Sequence, residues 1–300
     1  STQAKTLFPY TTLFRSLAAA GITPTELADV NWSPGPDDTL RRILVRLTMD
    51  RGGRRADAPG FDARQTTQWG YNAANDLQGI YLNYLGSAGG VFQDGDRFAF
   101  DNPGAREAFE YLVRLINVDH VAPSAADTNG NGDFSRNQFL AGRMALFQSG
   151  TYNLAAIADE ATFNWGVALL PRGPAGRVSV TNGIAAAANS ATPHPGAVRE
   201  VLAWMGSADG NAYLAEGGSA IPATRAAQQK YLDYWAARHV NVRPFFKVLQ
   251  GPHIAAPGGP GFPAGFRAIK PFFDEMFLGR ATVPATLTAA QKAANVAAQR

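Results

Sequence analysis

Apolar residues recur at helical spacing along much of the chain, with short strand-like runs between them. Leu40, Ile43, Leu44 and Leu47 form one helical stripe, with Asp37 or Asp38 placed to cap it. Asn75 to Leu85 forms a second through Leu77, Ile80, Tyr81, Tyr84 and Leu85. Asn102-Pro103 opens a third over 105–118, where Phe109, Leu112, Val113 and Ile116 make the buried face. Before it, Gly89-Gly90-Val91-Phe92 and Asp94-Gly95-Asp96 predict a hairpin whose return carries Phe98 and Phe100. Phe163 to Pro171 reads as a buried strand, and His194 to Glu216 as a helix broken near Gly206 to Gly210, with Trp204 and Trp235 as packing residues. Arg243 to Phe266 is rich in Gly and Pro and reads as irregular. A helix then runs from Phe266 to Gly279, admitting Pro271 only in its first turn or at a kink, and Leu287 to Gln299 closes the chain.

The chain is organised around Asp133 to Tyr152. Its apolar spacing changes from helical before Ala141-Gly142 to alternating after it, so a helix is expected to run into a buried strand. Gly142 can take the positive φ that ends the helix, and Ser149-Gly150 can turn the chain at the strand's far end. Tyr152 and Asn153 are thereby carried to a loop tip.

Composition narrows the function classes. Three hundred residues, 46% of them hydrophobic, suffice for one or two cored domains. The net charge of +3 comes from 22 Arg and 5 Lys against 24 acids, scattered along the chain, which gives no nucleic-acid footprint. With no cysteine, disulfides, thiolate catalysis and zinc-thiolate sites are excluded. No apolar run reaches the length of a membrane span. Neither a P-loop, an HExxH motif, nor a GxGxxG in dinucleotide-binding context is present. His120, His194, His239 and His253 are dispersed, and the acid pairs Asp37-Asp38 and Asp274-Glu275 sit at solvated helix positions, so no catalytic residue, metal ligand or cofactor is assigned. Asp127 to Asp133 imitates the first half of a calcium loop but has Gln138 where the bidentate acid belongs, and reads as a polar turn.

The pattern F-x-x-G-R-x-A-L-x-x-x-G followed by Tyr152 resembles the extracellular solute-binding proteins of ABC importers, in their carbohydrate class. The segments AGITPTELADVNW, WGYN, GGSAIPATRAA and VLAWMGSADGNAYL resemble the same family, over about Leu17 to the C-terminus. The resemblance implies an α/β fold of two lobes, the type II arrangement, and a sugar held in the cleft between them. It implies stacking on Tyr152, where the family usually carries Trp, and on Phe266, which falls where maltose-binding protein has a stacking Trp. It adds Trp69, Tyr71, Asn72, Asp76, Asn153, Asn182, Gly183 and Arg267 as ligand contacts. An aromatic ring suits the apolar face of a pyranose, while amides satisfy its hydroxyls.

From the resemblance, residues 17–169 are expected to form the second lobe, 170–235 part of the first, and 236–300 a return to the second, the first lobe being incomplete. Val198, Leu202 and Tyr213 would then lie uncovered. Thr6 to Ser16, TLFPYTTLFRS, reads as a translated sequencing adapter, which makes 1–16 a non-native leader. The implied partners are a sugar and the membrane permease of the importer, for a monomer that works outside the cytoplasm: periplasmic, or lipid-anchored in a Gram-positive cell, with its signal segment missing from this sequence. Another small solute, such as a glycerophosphodiester or polyamine, and less strongly a carbohydrate hydrolase, are the alternatives.

Overall fold

The computed structural model describes residues 13–299, with side chains from Ser16 onward. Most of the expected leader, residues 1–12, therefore lies outside the described residues. Its end does not: helix α1 (Leu13–Ala19) runs across the expected junction at 16/17, and the Ser16 hydroxyl donates to Gln68 at 3.0 Å. Helix α2 (Pro24–Ala28) is fixed by a capping box in which Thr23 and Glu26 satisfy each other's backbone N–H groups. Helix α3 (Thr39–Leu47) follows with all four expected apolar residues buried, capped by Asp38.

Strands β1 (Met49–Asp50) and β2 (Thr66–Gln68) pair antiparallel across an Arg-rich loop. A π-helical turn, Leu77–Tyr81, leads into α4 (Leu82–Ser87). The expected hairpin is β3 (Gln93–Asp94) and β4 (Arg97–Phe98). Helix α5 (Pro103–Asn117) is capped by Asn102, whose side chain accepts from Ala105 N–H. Helices α6 (Ala125–Thr128) and α7 (Phe134–Leu140) precede Gly142, which takes φ +70° to turn the chain. A 3₁₀ turn at Thr151–Asn153 enters α8 (Leu154–Glu160).

The second half contains β5 (Ser179–Thr181), α9 (Pro195–Gly206), α10 (Ala208–Glu216), α11 (Arg225–Ala237), α12 (Arg243–Leu249), β6 (His253–Ala255), α13 (Phe262–Phe277) and α14 (Val283–Ala298). The break between α9 and α10 falls at Ser207, which caps α10 through Gly210 N–H. Residues 163–171 do not form the expected strand and run as irregular chain. Of 178–187, only Ser179–Thr181 is paired, parallel to β6. Both α12 and β6 lie in the region expected to be irregular. Helix α13 begins four residues before Phe266, so Pro271 sits in its interior, where the helix forgoes one backbone bond.

One large core joins the first half of the chain to α13 and α14. Its centre is aromatic: Phe273 lies 5.0 Å from Phe109, 5.5 Å from Phe100 and 5.7 Å from Tyr81 between ring centroids. Each such ring contributes about 1.5–3 kcal/mol by burial. A second core gathers Leu154, Ala215, Ala227, Tyr231, Trp235, Val240 and Val242, with Trp165 and Val167 packed against it. A third, of Phe139, Met144 and Ile157, supports Trp69. Residues 154–167 pack with 212–246 in the second core, while Val180 and Ile254 pack against the main core.

Candidate functional site

The site is built where two extended stretches end side by side. Trp69 N–H donates to Arg143 C=O, Ala145 N–H to Trp69 C=O, and Leu146 N–H to Gly70 C=O, which sets 69–72 parallel to 143–148. At their common end, Asn72 and Gln148 close a reciprocal pair. Gln148 N–H donates to Asn72 Oδ1 at 2.7 Å, and Asn72 Nδ2 donates to Gln148 C=O at 2.9 Å. The Gln148 side chain extends the junction, donating to Gly79 C=O at 2.7 Å and accepting from the Tyr71 hydroxyl. Tyr84 in turn donates to the Tyr71 oxygen at 3.0 Å. Burial pushes the hydroxyls of Tyr71 and Tyr84 well above the usual phenol range, so both stay neutral and act as hydrogen-bond links.

Tyr71 and Asn72, expected among the ligand contacts, lie inside the protein. Each is only 3% exposed, with its polar atoms already engaged inside the protein. Trp69 is half-buried, edge-on to Phe134 at 6.2 Å and packed on the third core. Phe266 is half-buried too, stacked on Phe262 at 5.4 Å, and Phe262 stacks on Phe98, so one side of the ring packs against the main core. Arg267 is exposed on the same helix.

Tyr152 remains as an open aromatic surface. It is 60% exposed, and its ring lies over Gly150, where an added Cβ would meet Cε1 at 2.3 Å. Only glycine leaves room for the ring in this position. Asn153 Nδ2 donates to Ser149 Oγ, which holds the amide beside the turn. Asp76 opens the π-helical turn by accepting from Gln78 and Gly79 N–H through one oxygen, and Gly79 C=O takes the Gln148 side chain. Asn182, just past β5, donates to Gln78 Oε1, so Asn182 and the following Gly183 join the Asp76 side. The arrangement offers one ring, one exposed carboxylate and several amides. That is the equipment for holding a neutral, hydroxyl-bearing ligand.

Two residues escaped the sequence reasoning. Gln148 gave only one signal, a polar side chain where a buried strand should continue apolar. Gln78 gave none, because its role depends on a contact with Asn182 over a separation of 104 positions. Two surface depressions, along Ala289–Ala297 of α14 and between Pro271 and Thr286, share no residue with this group. Among the described residues no cluster of His, Cys, Asp and Glu could hold a metal ion, and no helix is long and apolar enough to cross a membrane.

Comparison with known proteins gives three findings. The sequence family described as bacterial extracellular solute-binding protein matches residues 54–212. The curated proteins yield no match. Among solved structures, UspC of M. tuberculosis is 69% identical with a TM-score of 0.87, covering 95% of this chain and 71% of that one. The substrate-binding protein Lmo0181 of Listeria monocytogenes, in complex with cycloalternan, gives 0.73 at 18% identity over 94% and 67%. Maltose-bound MalE3 of T. maritima gives 0.66 at 18% identity over 94% and 68%. At such identities the last two speak for the fold alone: the two-lobed α/β architecture of type II binding proteins.

Proposed function

The chain belongs to the bacterial extracellular solute-binding proteins, and we propose that within this family it is the sugar- or oligosaccharide-binding component of an ABC importer. The observation that carries the reading is the exposed Tyr152 ring with Asn153 just past the end of the paired extended stretches, where the Gln148 side chain bonds Gly79 C=O in the turn that carries Asp76 and Gln78. A pyranose lies with its C–H face on the phenol ring, and the amides and carboxylate take its hydroxyls. Two structural neighbours named above hold cycloalternan and maltose, which favours the same ligand class here.

The protein binds and releases; it makes and breaks no covalent bond. Residues 154–167 with 212–246, which share their own core, act as one body and the main core as another, and closure between them presents the loaded protein to the membrane permease. It works as a monomer outside the cytoplasm, in the periplasm or tethered by a lipid. The test is a thermal-shift screen of the purified chain against mono- and oligosaccharides, with glycerophosphodiesters and polyamines as the competing class. A concentration-dependent rise in melting temperature with sugars alone supports the reading. A rise with phosphodiesters or polyamines and none with sugars overturns it.

A further inference from the structure

The turn that carries Asp76 and Gln78 is wider than an α-helix. Tyr81 N–H reaches back to Asp76 C=O at 2.9 Å, and Leu82 N–H to Leu77 C=O, both in the i→i+5 pattern. Turns of this kind are rare and recur at functional sites. The local sequence gives no reason for one, since residues 77–85, Leu-Gln-Gly-Ile-Tyr-Leu-Asn-Tyr-Leu, hold no proline and would suit an ordinary helix. The wide register is instead set by side chains that enter the backbone ladder. Asn83 in α4, only 7% exposed, donates through Nδ2 to Gln78 C=O at 2.9 Å and to Gly79 C=O at 3.2 Å. Its Oδ1 accepts from Val180 N–H of β5 at 2.9 Å, so the oxygen serves the strand and the nitrogen serves the turn. Gly79 C=O also takes the Gln148 side chain, from the stretch that leads to Tyr152. Asp76 folds over the turn it opens, and a Cβ at position 79 would stand 2.4 Å from Asp76 Oδ2.

On the sugar-binding reading given above, we propose that Asn83 is a positioning residue of the site. It touches no sugar; it holds two carbonyls of the turn from inside the protein, keeps residues 77–81 in the wide register, and so fixes the Asp76 carboxylate and the Gln78 amide. Without the Nδ2 donor these carbonyls regain partners by tightening to the α register. That removes one residue from the turn, which moves what precedes it by about 1.5 Å along the helix axis and about 100° around it. Asp76 stands at that edge, and a displacement of this size takes its free oxygen out of reach of a hydroxyl it would otherwise bond.

The experiment compares Asn83→Ala with Asn83→Ser, whose hydroxyl can still donate to the carbonyl four residues back, that of Gly79. Crystal structures of the two variants show the register directly: Asn83→Ala should bring residues 77–81 to i→i+4 bonding. Calorimetry is done with maltose and with the sugar that gives the largest shift in the thermal screen. Asn83→Ala should weaken binding at least about tenfold, the effect of losing one hydrogen bond to a charged group, and Asn83→Ser should lose less. In an Asp76→Ala background Asn83→Ala should cost no further affinity, whereas its effect should add to that of Tyr152→Ala. A merely structural role would give the same loss in both backgrounds, and that result overturns the proposal. So does a wide turn that persists in Asn83→Ala. Full affinity in Asn83→Ala where Tyr152→Ala loses it overturns the proposal and leaves the sugar reading standing; full affinity in both strikes the two together. If Asn83→Ala does not fold, Asn83→Ser carries the same comparisons.

Discussion

Gln148→Met replaces the side chain at the junction of the two extended stretches by one of similar volume that can neither donate nor accept strongly. The backbone pair between Gln148 and Asn72 survives, so the turn at Ser149-Gly150 keeps its place. One buried polar group loses its only acceptor. Gly79 C=O loses the Nε2 donor but keeps Asn83 Nδ2 at 3.2 Å, whereas the Tyr71 hydroxyl is left without its acceptor. Rotation of the tyrosines gives no escape, because Tyr71 and Tyr84 bond to each other and one hydroxyl proton stays orphaned whichever way the pair turns. At about 1–3 kcal/mol for an orphaned group, the substitution costs about 1–3 kcal/mol of stability, a sizeable part of the 5–15 kcal/mol that holds a typical domain folded. Urea denaturation followed by tryptophan fluorescence reads the change directly, provided the slope of the transition is the same in both proteins. A loss below about 0.5 kcal/mol with an unchanged slope would refute the reasoning, and Gln148 would be a bystander.

Three further substitutions test other parts of the account. Tyr152→Ala should weaken sugar binding by about 1–3 kcal/mol in calorimetry while leaving the melting temperature in place, because the ring is mostly exposed. Gly104→Ala puts a Cβ 2.6 Å from Gly90 N and 2.7 Å from Ala88 O, backbone on both sides, and should destabilise the start of α5 by about 1–3 kcal/mol. Asp38 tests pH dependence. Burial raises its pKa, against the opposing hydrogen bonds from Arg41 N–H and the Tyr111 hydroxyl, and its second oxygen has no partner among the described residues. The folded state therefore holds a proton that the unfolded state releases, in a window that opens at the ordinary aspartate value of about 3.9. Stability from this group is present below that window and lost as pH rises through it. Asp38→Asn keeps an oxygen for the cap and removes the loss, so its stability should vary less with pH above about 4 and at least match the parent at pH 7. A variant weaker than the parent at pH 7 would mean that attraction to Arg41 outweighs the burial of the charge.

Helices α3 and α5 were legible because local rules agree there: a capping side chain, then apolar residues on one stripe. The turn that carries Tyr152 was legible for the same reason, through Gly142 and Gly150. The burial of Tyr71 and Asn72 was not legible, because alternation tells that two neighbours face opposite sides of an extended chain, not what covers each side. Here both faces are occupied, one by Tyr84 and the other by the Gln148 backbone. Residues 163–171 read as a strand from apolar content alone, but Trp165 and Val167 meet the second core without a neighbouring strand to bond. The pair of half-buried Arg41 with buried Asp119, 78 positions apart, has no local signature at all.

The aromatic centre of the main core has a consequence for how the protein is made. Phe109 and its partner Phe273 are separated by 164 positions, so a ribosome adding 5–20 residues per second delivers the second ring about 8–33 s after the first. Throughout that interval Tyr81, Phe92, Phe98, Phe100 and Phe109 wait without the helix that seals them, while the second core, whose residues all lie between Leu154 and Val242, can already close. The nascent chain should therefore present a sticky aromatic surface late into synthesis and depend on a holding chaperone until α13 emerges. For a protein destined to leave the cytoplasm, such a delay keeps the chain loose enough to be threaded through a secretion channel.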